Sequence, residues 1–385
     1  MNEARQRDRT KLERADHWAP LLGGALACAL CAAGCGSSSA HAAAGAPDAA
    51  PSCPAKDGPI ALPNGAPGIE FDDIQWAPHL RKVIVPAGRT GSVDLIDPDT
   101  CAVTELKGLS KSDQYTAPPA GPLRVGTRYG STSATEADRY VAALDGTAQT
   151  LNIFDPATTA LLSSVPLGAA VDYVHYVASK REIWVTMPTP ATIDVYSLPA
   201  SGTPTPQKVV SIAVPNGPES LVIDETRGRA YTNAFYNASF SGGNTYAIDL
   251  STHAIVETWT TPCVLALGVA LDEARGFAFV LCGENGNSVV LDVAHGGAIL
   301  GSQNGGAGAN ILAYNPTLHH LYSPSGNTSE IFVMDVLDSG QLTLLGKLLG
   351  ADRGFSDAVD DRGHAYVFYP DQGSVIRSTD SFPSH

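Results

Sequence analysis

The sequence has few charged residues. Asp, Glu, Lys and Arg make up 16% of its 385 residues, whereas about 25% is usual for a soluble protein. Hydrophobic residues make up 44%, so the composition is not that of a disordered chain. Glycine and proline are plentiful, with 38 and 27 copies. This combination favours a folded protein built from short strands and many turns.

Basic residues are the scarcer of the two charge types. The chain has 24 Lys and Arg against 39 Asp and Glu, and its net charge is -15. No Lys/Arg cluster interrupts the acidic character after residue 34. Because an acidic surface repels phosphate backbones, we expect no nucleic-acid binding. Cationic and neutral partners are compatible with this charge.

Long apolar runs are absent beyond the amino terminus. The run from Trp18 to Ala33 follows five basic residues and is shorter than the roughly 20 residues of a spanning helix. This pattern is typical of a signal peptide. The run ends at Ala32-Ala33-Gly34-Cys35, which resembles the lipobox of bacterial lipoproteins, although Ala32 stands where that family usually has Leu.

The resemblance to a lipobox implies a lipid-anchored protein of the bacterial cell envelope. Residues 1–34 would be the signal peptide, Cys35 the lipidated first residue and 35–57 a flexible, Pro/Ala-rich tether. The anchor would face the periplasm or the exterior. A second small-residue cleavage site, Ala40-His41-Ala42, is the alternative, and it would release a soluble periplasmic or secreted protein.

Cysteine is sparse but even in number after the lipobox. Beyond Cys35 the chain contains four cysteines, which suits disulfides in an oxidising compartment: Cys53, Cys101, Cys263 and Cys282. Pairing of Cys263 with Cys282 is one of the connectivities these four allow.

Helical spacing is also missing, and in its place a unit recurs about every 45 residues, a period typical of propellers and solenoids. Each copy is a strand, a Gly/Ser/Asn turn and a second strand. Seven copies begin at residues 83, 140, 183, 231, 279, 321 and 366. A further short strand precedes each hairpin, and one follows most of them. Four alternating strands bounded by turn residues make one propeller blade.

The repeats therefore predict an all-β fold, a seven-bladed β-propeller spanning 58–378 with a carboxyl-terminal tail at 379–385. The last copy lacks a fourth strand, and an unpaired strand at Pro59–Pro63 precedes the first blade. We expect this strand to complete blade seven and close the ring, which removes exposed sheet edges.

One repeat carries a family signature. Tyr231-Thr232-Asn233, followed by Ala247-Ile248-Asp249, Thr252 and Val256, resembles the repeat of the YVTN/YncE-like propellers. The resemblance covers about residues 70–378 and implies a blade, not a chemistry. Relatives in that family are mostly envelope or secreted binding proteins, and some related propellers are lactonases.

The most informative candidate residues precede the innermost strands, because these strands line the axial channel. Alignment of the blades places a polar residue there in five of them: Asp72, Asp172, Glu219, Asn310 and Asp357. His175 follows Asp172 on the innermost strand of the third blade. Blade five contributes Leu267, and Arg124 or Arg128 is the candidate of blade two. Converging carboxylates either take up protons or hold a cation such as Ca²⁺. A water-filled channel that merely tolerates polar residues is the alternative.

Other features have simpler interpretations. Asp97, Asp155, Asp249, Asp292 and Asp335 end the third strand of five blades, and such repetition favours a structural role in Asx turns. His319 and His320 are predicted turn residues. The Gly/Ser/Thr-rich segment 126–138 lengthens blade two, and Tyr129 within it is predicted to lie on a contact surface.

Two hypotheses for function follow. The sequence contains no short enzyme signature, and the first hypothesis is a non-enzymatic envelope lipoprotein that binds a protein, glycan or small ligand. The second is a lactonase-type hydrolase, with or without a divalent cation, whose site is the acidic channel mouth.

Overall fold

The protein folds into β-structure throughout the part of the chain that the computed structural model describes. That part comprises residue 53 and residues 57–117, 129–235, 242–283 and 285–384. It contains 28 strands, a single 3-10 turn at Pro370–Gln372 and no α-helix. Within those ranges no helix is long and apolar enough to cross a membrane. The strands form seven antiparallel sheets of four strands each.

The blades follow one another along the chain. Blade 1 contains β2 (Gln75–Ala77), β3 (Lys82–Pro86), β4 (Ser92–Ile96) and β5 (Val103–Lys107). Blade 2 contains β6 (Ser131–Ala137), β7 (Tyr140–Asp145), β8 (Thr150–Asp155) and β9 (Ala160–Pro166). Blade 3 contains β10 (Val174–Val177), β11 (Glu182–Met187), β12 (Thr192–Ser197) and β13 (Gln207–Ala213). Blade 4 contains β14 (Leu221–Asp224), β15 (Arg229–Ala234), β16 (Asn244–Asp249) and β17 (Ala254–Thr260).

The remaining three blades complete the ring. Blade 5 contains β18 (Ala266–Asp272), β19 (Phe277–Cys282), β20 (Asn287–Asp292) and β21 (Ala298–Asn304). Blade 6 contains β22 (Ala313–Asn315), β23 (His320–Ser325), β24 (Glu330–Val336) and β25 (Leu342–Leu349). Blade 7 contains β26 (Asp357–Val359), β27 (His364–Tyr369), β28 (Ser374–Thr379) and the amino-terminal strand β1 (Gly58–Ala61).

The ring closes as the sequence predicts. Each innermost strand contacts the innermost strands of the two neighbouring blades, including β2 of blade 1 with β26 of blade 7. Strand β1 pairs antiparallel with β28, with Ile60 opposite Val375. Seven four-stranded blades and closure by an amino-terminal strand are therefore confirmed.

The middle strands of the blades do not alternate in burial, which differs from the period-2 pattern expected for all four strands. All six residues of β11 are buried, and the same holds for β7 and β19. Both faces of these strands are covered, because each blade packs between two others, and such strands contain continuous apolar runs. The outermost strands, such as β9, are only partly covered.

Hydrogen bonds also join neighbouring blades. The chain passes from the outermost strand of one blade to the innermost strand of the next on one face of the ring, which we call the upper face. The opposite face is the lower face. On the lower face the Leu80 N–H donates to Glu136 of blade 2 at 2.7 Å. The Thr226 N–H donates to Glu273 of blade 5 at 2.6 Å. Carboxylates thus satisfy turn N–H groups of the preceding blade.

The prediction of an inserted loop at 126–138 is wrong over most of its length. Residues 131–137 form β6, the innermost strand of blade 2. The additional residues of this repeat belong instead to the connection between β5 and β6. Part of that connection, 118–128, lies outside the described residues together with Arg124 and Arg128.

Candidate functional site at the channel mouth and upper face

The predicted mouth residues all lie at or just before the start of an innermost strand. Four of them are buried, with exposed fractions of 5% or less: Asp72, Asp172, Glu219 and Asp357. Asn310 is half-buried. Asn310 Nδ2 donates to the hydroxyl of Tyr173 at 3.1 Å, a contact between blades 6 and 3. Ser356 Oγ, next to Asp357, donates to the Asp72 carbonyl at 2.7 Å.

The strongest described network at the mouth contains Asp73, which the sequence alignment of the blades passes over in favour of Asp72. Asp73 Oδ2 accepts hydrogen bonds from Ser133 Oγ at 2.6 Å and from Gln75 Nε2 at 2.7 Å. Ser133 Oγ in turn accepts the N–H of Val174 at 3.1 Å. The network therefore ties blades 1, 2 and 3 together beside the channel.

The environment of Asp73 shifts its titration. Burial raises the pKa of Asp73 to about 6, against the opposing effect of the Ser133 and Gln75 hydrogen bonds, and the nearby Asp172 raises it further. Burial also raises the pKa of Asp357 well above its ordinary value. Burial lowers the pKa of His175 to about 4, so this imidazole is neutral at pH 7. The mouth thus combines a neutral histidine with carboxyls that retain protons more strongly than usual.

A cation at the mouth would need converging oxygen ligands. Across the described ranges, no group of three or more His, Cys, Asp or Glu side chains is arranged to hold a metal ion. A Ca²⁺ site formed by Asp72, Asp172, Glu219, Asn310 and Asp357 therefore stays a prediction.

The upper face also has an ordered strap, residues 108–117, which follows β5 and crosses toward blade 7. The hydroxyl of Tyr115 donates to Asp371 Oδ1 at 2.7 Å, and Arg353 Nη1 donates to the same oxygen at 3.1 Å. The Thr116 N–H donates to Glu70 Oε1 at 2.9 Å. These contacts bring the end of the strap close to the chain that leads into the channel mouth.

A buried arginine holds the strap from below. Arg89 is 3% exposed, and its guanidinium donates to five backbone carbonyls. The acceptors are Gly68 at 2.6 Å, Ala66 at 2.7 Å, Gly65 at 3.0 Å, Asn64 at 3.1 Å and Ser112 at 3.3 Å. Arg89 therefore joins the strap to the segment that follows β1. Sequence reasoning missed Arg89, because it occurs in one blade only and its partners are backbone atoms.

The recurrent aspartates at the ends of the third strands have structural partners. Asp249 Oδ1 accepts the N–H groups of Ser251 and Thr252 at 2.9 and 2.8 Å. Asp97 accepts those of Asp99 and Thr100 in the same way. This is the Asx-turn geometry expected from the sequence, and it explains the repetition without a catalytic role.

The prediction that His320 is a turn residue is wrong. His319 lies in the turn with a positive φ, but His320 begins β23 and is fully buried. His320 Nδ1 lies 2.7 Å from Asp380 Oδ2, which also accepts the hydroxyl of Tyr322. Asp380 lies just after β28, so its buried carboxylate fastens the carboxyl-terminal tail to blade 6.

The cysteines of the described region form two disulfides. Cys263 is bonded to Cys282, and Cys53 is bonded to Cys101. The second bond ties the segment before β1 to blade 1. Cys35, the predicted lipidation site, and the predicted signal peptide at 1–34 lie outside the described residues, as does the tether at 35–57 apart from Cys53 and Asp57.

The fold is that of a seven-bladed β-propeller. The chain is similar to a chain in the crystal structure of the mitotic checkpoint complex, with a TM-score of 0.64, 15% identity and coverage of 87% of this chain and 96% of the other. It is also similar to Kuenenia stuttgartiensis hydrazine synthase, with a TM-score of 0.64, 14% identity and coverage of 82% and 96%.

A third similar structure is the Myceliophteria thermophila Cps50 (Swd1) β-propeller domain, with a TM-score of 0.62, 12% identity and coverage of 82% and 98%. At such low identity these likenesses show the propeller fold alone. No protein-family model matches the sequence, and no curated protein is similar enough to count as a relative.

Proposed function

We propose that this protein is an exported binding scaffold, anchored at the cell envelope through lipid on Cys35, that presents the upper face of its propeller to a partner protein. The lipobox-like sequence and the preceding signal-type run support export and anchoring. The two disulfides fit an oxidising compartment. One of the similar structures is of a protein complex, which favours a protein over a glycan or a small ligand.

The observation that carries the proposal is the ordered strap on the upper face. Residues 108–117 contain no strand, yet Tyr115 and Thr116 are fixed by hydrogen bonds at 2.7 and 2.9 Å to blade 7 and to Glu70. Lys111, Asp113 and Gln114 are exposed. Rigid loops on a propeller face are typical binding elements, and their order lowers the entropic cost of association.

We also propose that the chain is a member of the YVTN/YncE-like propellers. The residues of the signature have structural roles in blade 4. The hydroxyl of Tyr231 donates to the corner residue Asp224 at 3.2 Å, and Thr232 Oγ1 donates to the Ser220 carbonyl at 2.6 Å. Asn233 Nδ2 donates to the Leu267 carbonyl of the next blade at 2.7 Å. The motif thus builds a blade and joins it to its neighbour.

Site-specific photo-cross-linking tests the partner surface. A photoreactive residue at Gln114 should yield a discrete cross-linked protein in intact cells, because Gln114 is exposed on the strap. The matched control is the same residue at Lys180, which is exposed on the lower face. Cross-linked products of equal pattern from both positions, or none from Gln114, would contradict the proposal.

Fractionation of cells tests the anchor. Cys35→Ala should move the protein from the membrane to the soluble fraction, because no other segment after residue 34 is apolar enough to anchor it. Retention of the variant in the membrane fraction would refute lipid attachment at Cys35. Release of the wild-type protein would favour cleavage at Ala40-His41-Ala42 and a secreted or periplasmic form.

The hydrolase hypothesis is supported only by the carboxyls of the mouth. Asp73, with a pKa of about 6 beside Asp172, has the titration that a general acid or base needs near neutral pH. Turnover of a lactone panel that is lost in Asp172→Asn and Glu219→Gln, with both variants folded, would establish this function. Unchanged turnover in these variants, or no turnover by the wild type, would dismiss it.

A further inference from the structure

A cleft on the lower face is separate from the channel mouth and the strap. It has a volume of about 710 Å³ and lies between blade 2 and the connection of blade 3 that joins β12 to β13. Its lining consists of Arg139, Tyr140, Asp155, Leu162, Gly202, Thr203 and Pro204. The cleft is largely open to solvent, and its volume exceeds that of a single amino acid.

The wall from blade 3 is an unusually long connection. Residues 198–206 join β12 to β13, whereas residues 156–159 suffice for the equivalent connection of blade 2. The connection is fixed to blade 2, because Ser163 Oγ donates to the Pro204 carbonyl at 2.7 Å. Pro204 itself is buried. The cleft is therefore bounded by an anchored wall.

The cleft contains an oriented guanidinium. Arg139 Nη2 donates to the hydroxyl of the buried Tyr140 at 2.6 Å, and the guanidinium carbon lies 4.9 Å from the centre of that ring. The hydrogen bond to Tyr140 and the charges of Asp138 and Asp155 raise the pKa of Arg139, but in the described part of the chain its guanidinium forms no ion pair with a carboxylate. Arg81, at the equivalent turn of blade 1, pairs with Asp361 at 3.0 Å. The remaining N–H groups of Arg139 can donate to a bidentate carboxylate.

The cleft also contains an ionised carboxylate. Asp155 Oδ2 accepts the Thr158 hydroxyl and Oδ1 accepts the Ala157 N–H, both at 2.9 Å. These hydrogen bonds hold the pKa of Asp155 below its ordinary value. Each of its oxygens has a further lone pair that can accept from a ligand ammonium. Leu162 and the Tyr140 ring supply apolar surface beside the two charges.

We infer that this cleft binds a short peptide with free termini, whose carboxylate contacts Arg139 and whose ammonium contacts Asp155. One positive and one negative group in the same cleft complement a zwitterion, and the apolar lining accommodates aliphatic side chains. This site does not depend on a partner at the upper face.

Isothermal titration with the dipeptide L-leucyl-L-leucine tests the inference. The wild-type protein should bind it saturably, and Arg139→Gln should weaken binding at least tenfold, because a charge-assisted hydrogen-bond pair is lost. The control Arg81→Gln should bind as the wild type does. Arg139 and Arg81 are both exposed, so melting temperatures should be unchanged. No saturable binding by the wild type, or equal binding by Arg139→Gln and Arg81→Gln, would overturn the site.

Capped ligands test each end separately. Compared with the uncapped dipeptide, the carboxyl-amidated form should bind the wild type at least tenfold more weakly, but it should bind Arg139→Gln almost as well as the uncapped form does. The amino-acetylated form should likewise bind the wild type more weakly than the uncapped dipeptide does, whereas Asp155→Asn should bind both forms equally. Undiminished binding of either capped form to the wild type would overturn the role of the corresponding residue. Binding of L-leucine as tight as that of the dipeptide would overturn the assignment to a peptide.

Discussion

Replacement of Arg89 is the substitution for which the structure predicts the largest loss of stability on the upper face. The guanidinium is buried and donates to five carbonyls between 2.6 and 3.3 Å. Arg89→Ala would leave these carbonyls without this donor, and the hydrogen bonds to Gly65 and Gly68 are fully buried. Hydrogen bonds from a charged donor contribute about 1.5–3 kcal/mol each. Because they share one group and do not add, we expect a loss of about 3–5 kcal/mol.

Denaturant unfolding with the disulfides intact measures this loss. Linear extrapolation for the wild type, Arg89→Ala and Arg89→Lys should place the lysine variant between the other two, since an ammonium retains the charge but cannot reach all five acceptors. Arg81→Ala is the control, because Arg81 forms an exposed ion pair and should change stability by less than about 1 kcal/mol.

Hydrogen exchange locates the effect of the Arg89 substitution. Arg89→Ala should increase exchange in β1 and in the strap before it affects blade 4, because its acceptors lie in 64–68 and at Ser112. An Arg89→Ala variant within 1 kcal/mol of the wild type, with unchanged exchange in β1, would refute the reasoning.

Three other predictions concern pH, the tail and cations. Asp73 takes up a proton at about pH 6 in the folded state and at its ordinary pKa of 3.8 when unfolded, so its ionisation destabilises the fold as pH rises from about 4 to 6. Asp73→Asn should remove this decline in the free energy of unfolding, which amounts to about 3 kcal/mol. Urea unfolding at pH 4 and pH 7 measures it, and a variant that shows the same difference between the two pH values as the wild type would contradict the prediction. Asp380→Ala leaves His320 and Tyr322 buried without their acceptor and should lower the free energy of unfolding by about 2–4 kcal/mol. An unchanged melting temperature in calorimetry would contradict the role of Asp380 in fastening the tail to blade 6. If the channel mouth holds a cation, added Ca²⁺ should raise the melting temperature and Asp172→Asn should abolish that rise, because a ligand that binds the folded state stabilises it; no shift with Ca²⁺ or EDTA would count against the cation site.

The fold was predictable because its determinants are local and repeated. Each hairpin contains its own turn residues, and seven copies at a regular spacing leave few architectures other than a closed ring. The closing strand β1 was predictable for a similar reason, because the last repeat lacks a strand that the first segment supplies. The continuous burial of the middle strands was not recognised, since the alternation rule assumes one solvated face.

The candidate site was predictable only in part. The repeat alignment located the mouth, but it selected Asp72, whereas the described network uses the adjacent Asp73 with Ser133 of the next blade. Contacts such as Asn310 with Tyr173 join residues that the ring brings together from distant repeats. The partner of His320 lies at Asp380 in the tail, and no local pattern indicates it. These contacts depend on ring closure, so no single repeat encodes them.

Two matched double variants test whether the strap on the upper face binds a partner protein. Lys111→Ala with Asp113→Ala removes two exposed charges from the strap, and Lys180→Ala with Asp338→Ala removes the same two charge types elsewhere on the surface. Both variants should have the melting temperature of the wild-type protein. The strap variant should yield at least tenfold less of the protein cross-linked from Gln114, while the other variant should yield as much as the wild type. Equal yields from the two variants would contradict binding of a partner at the strap.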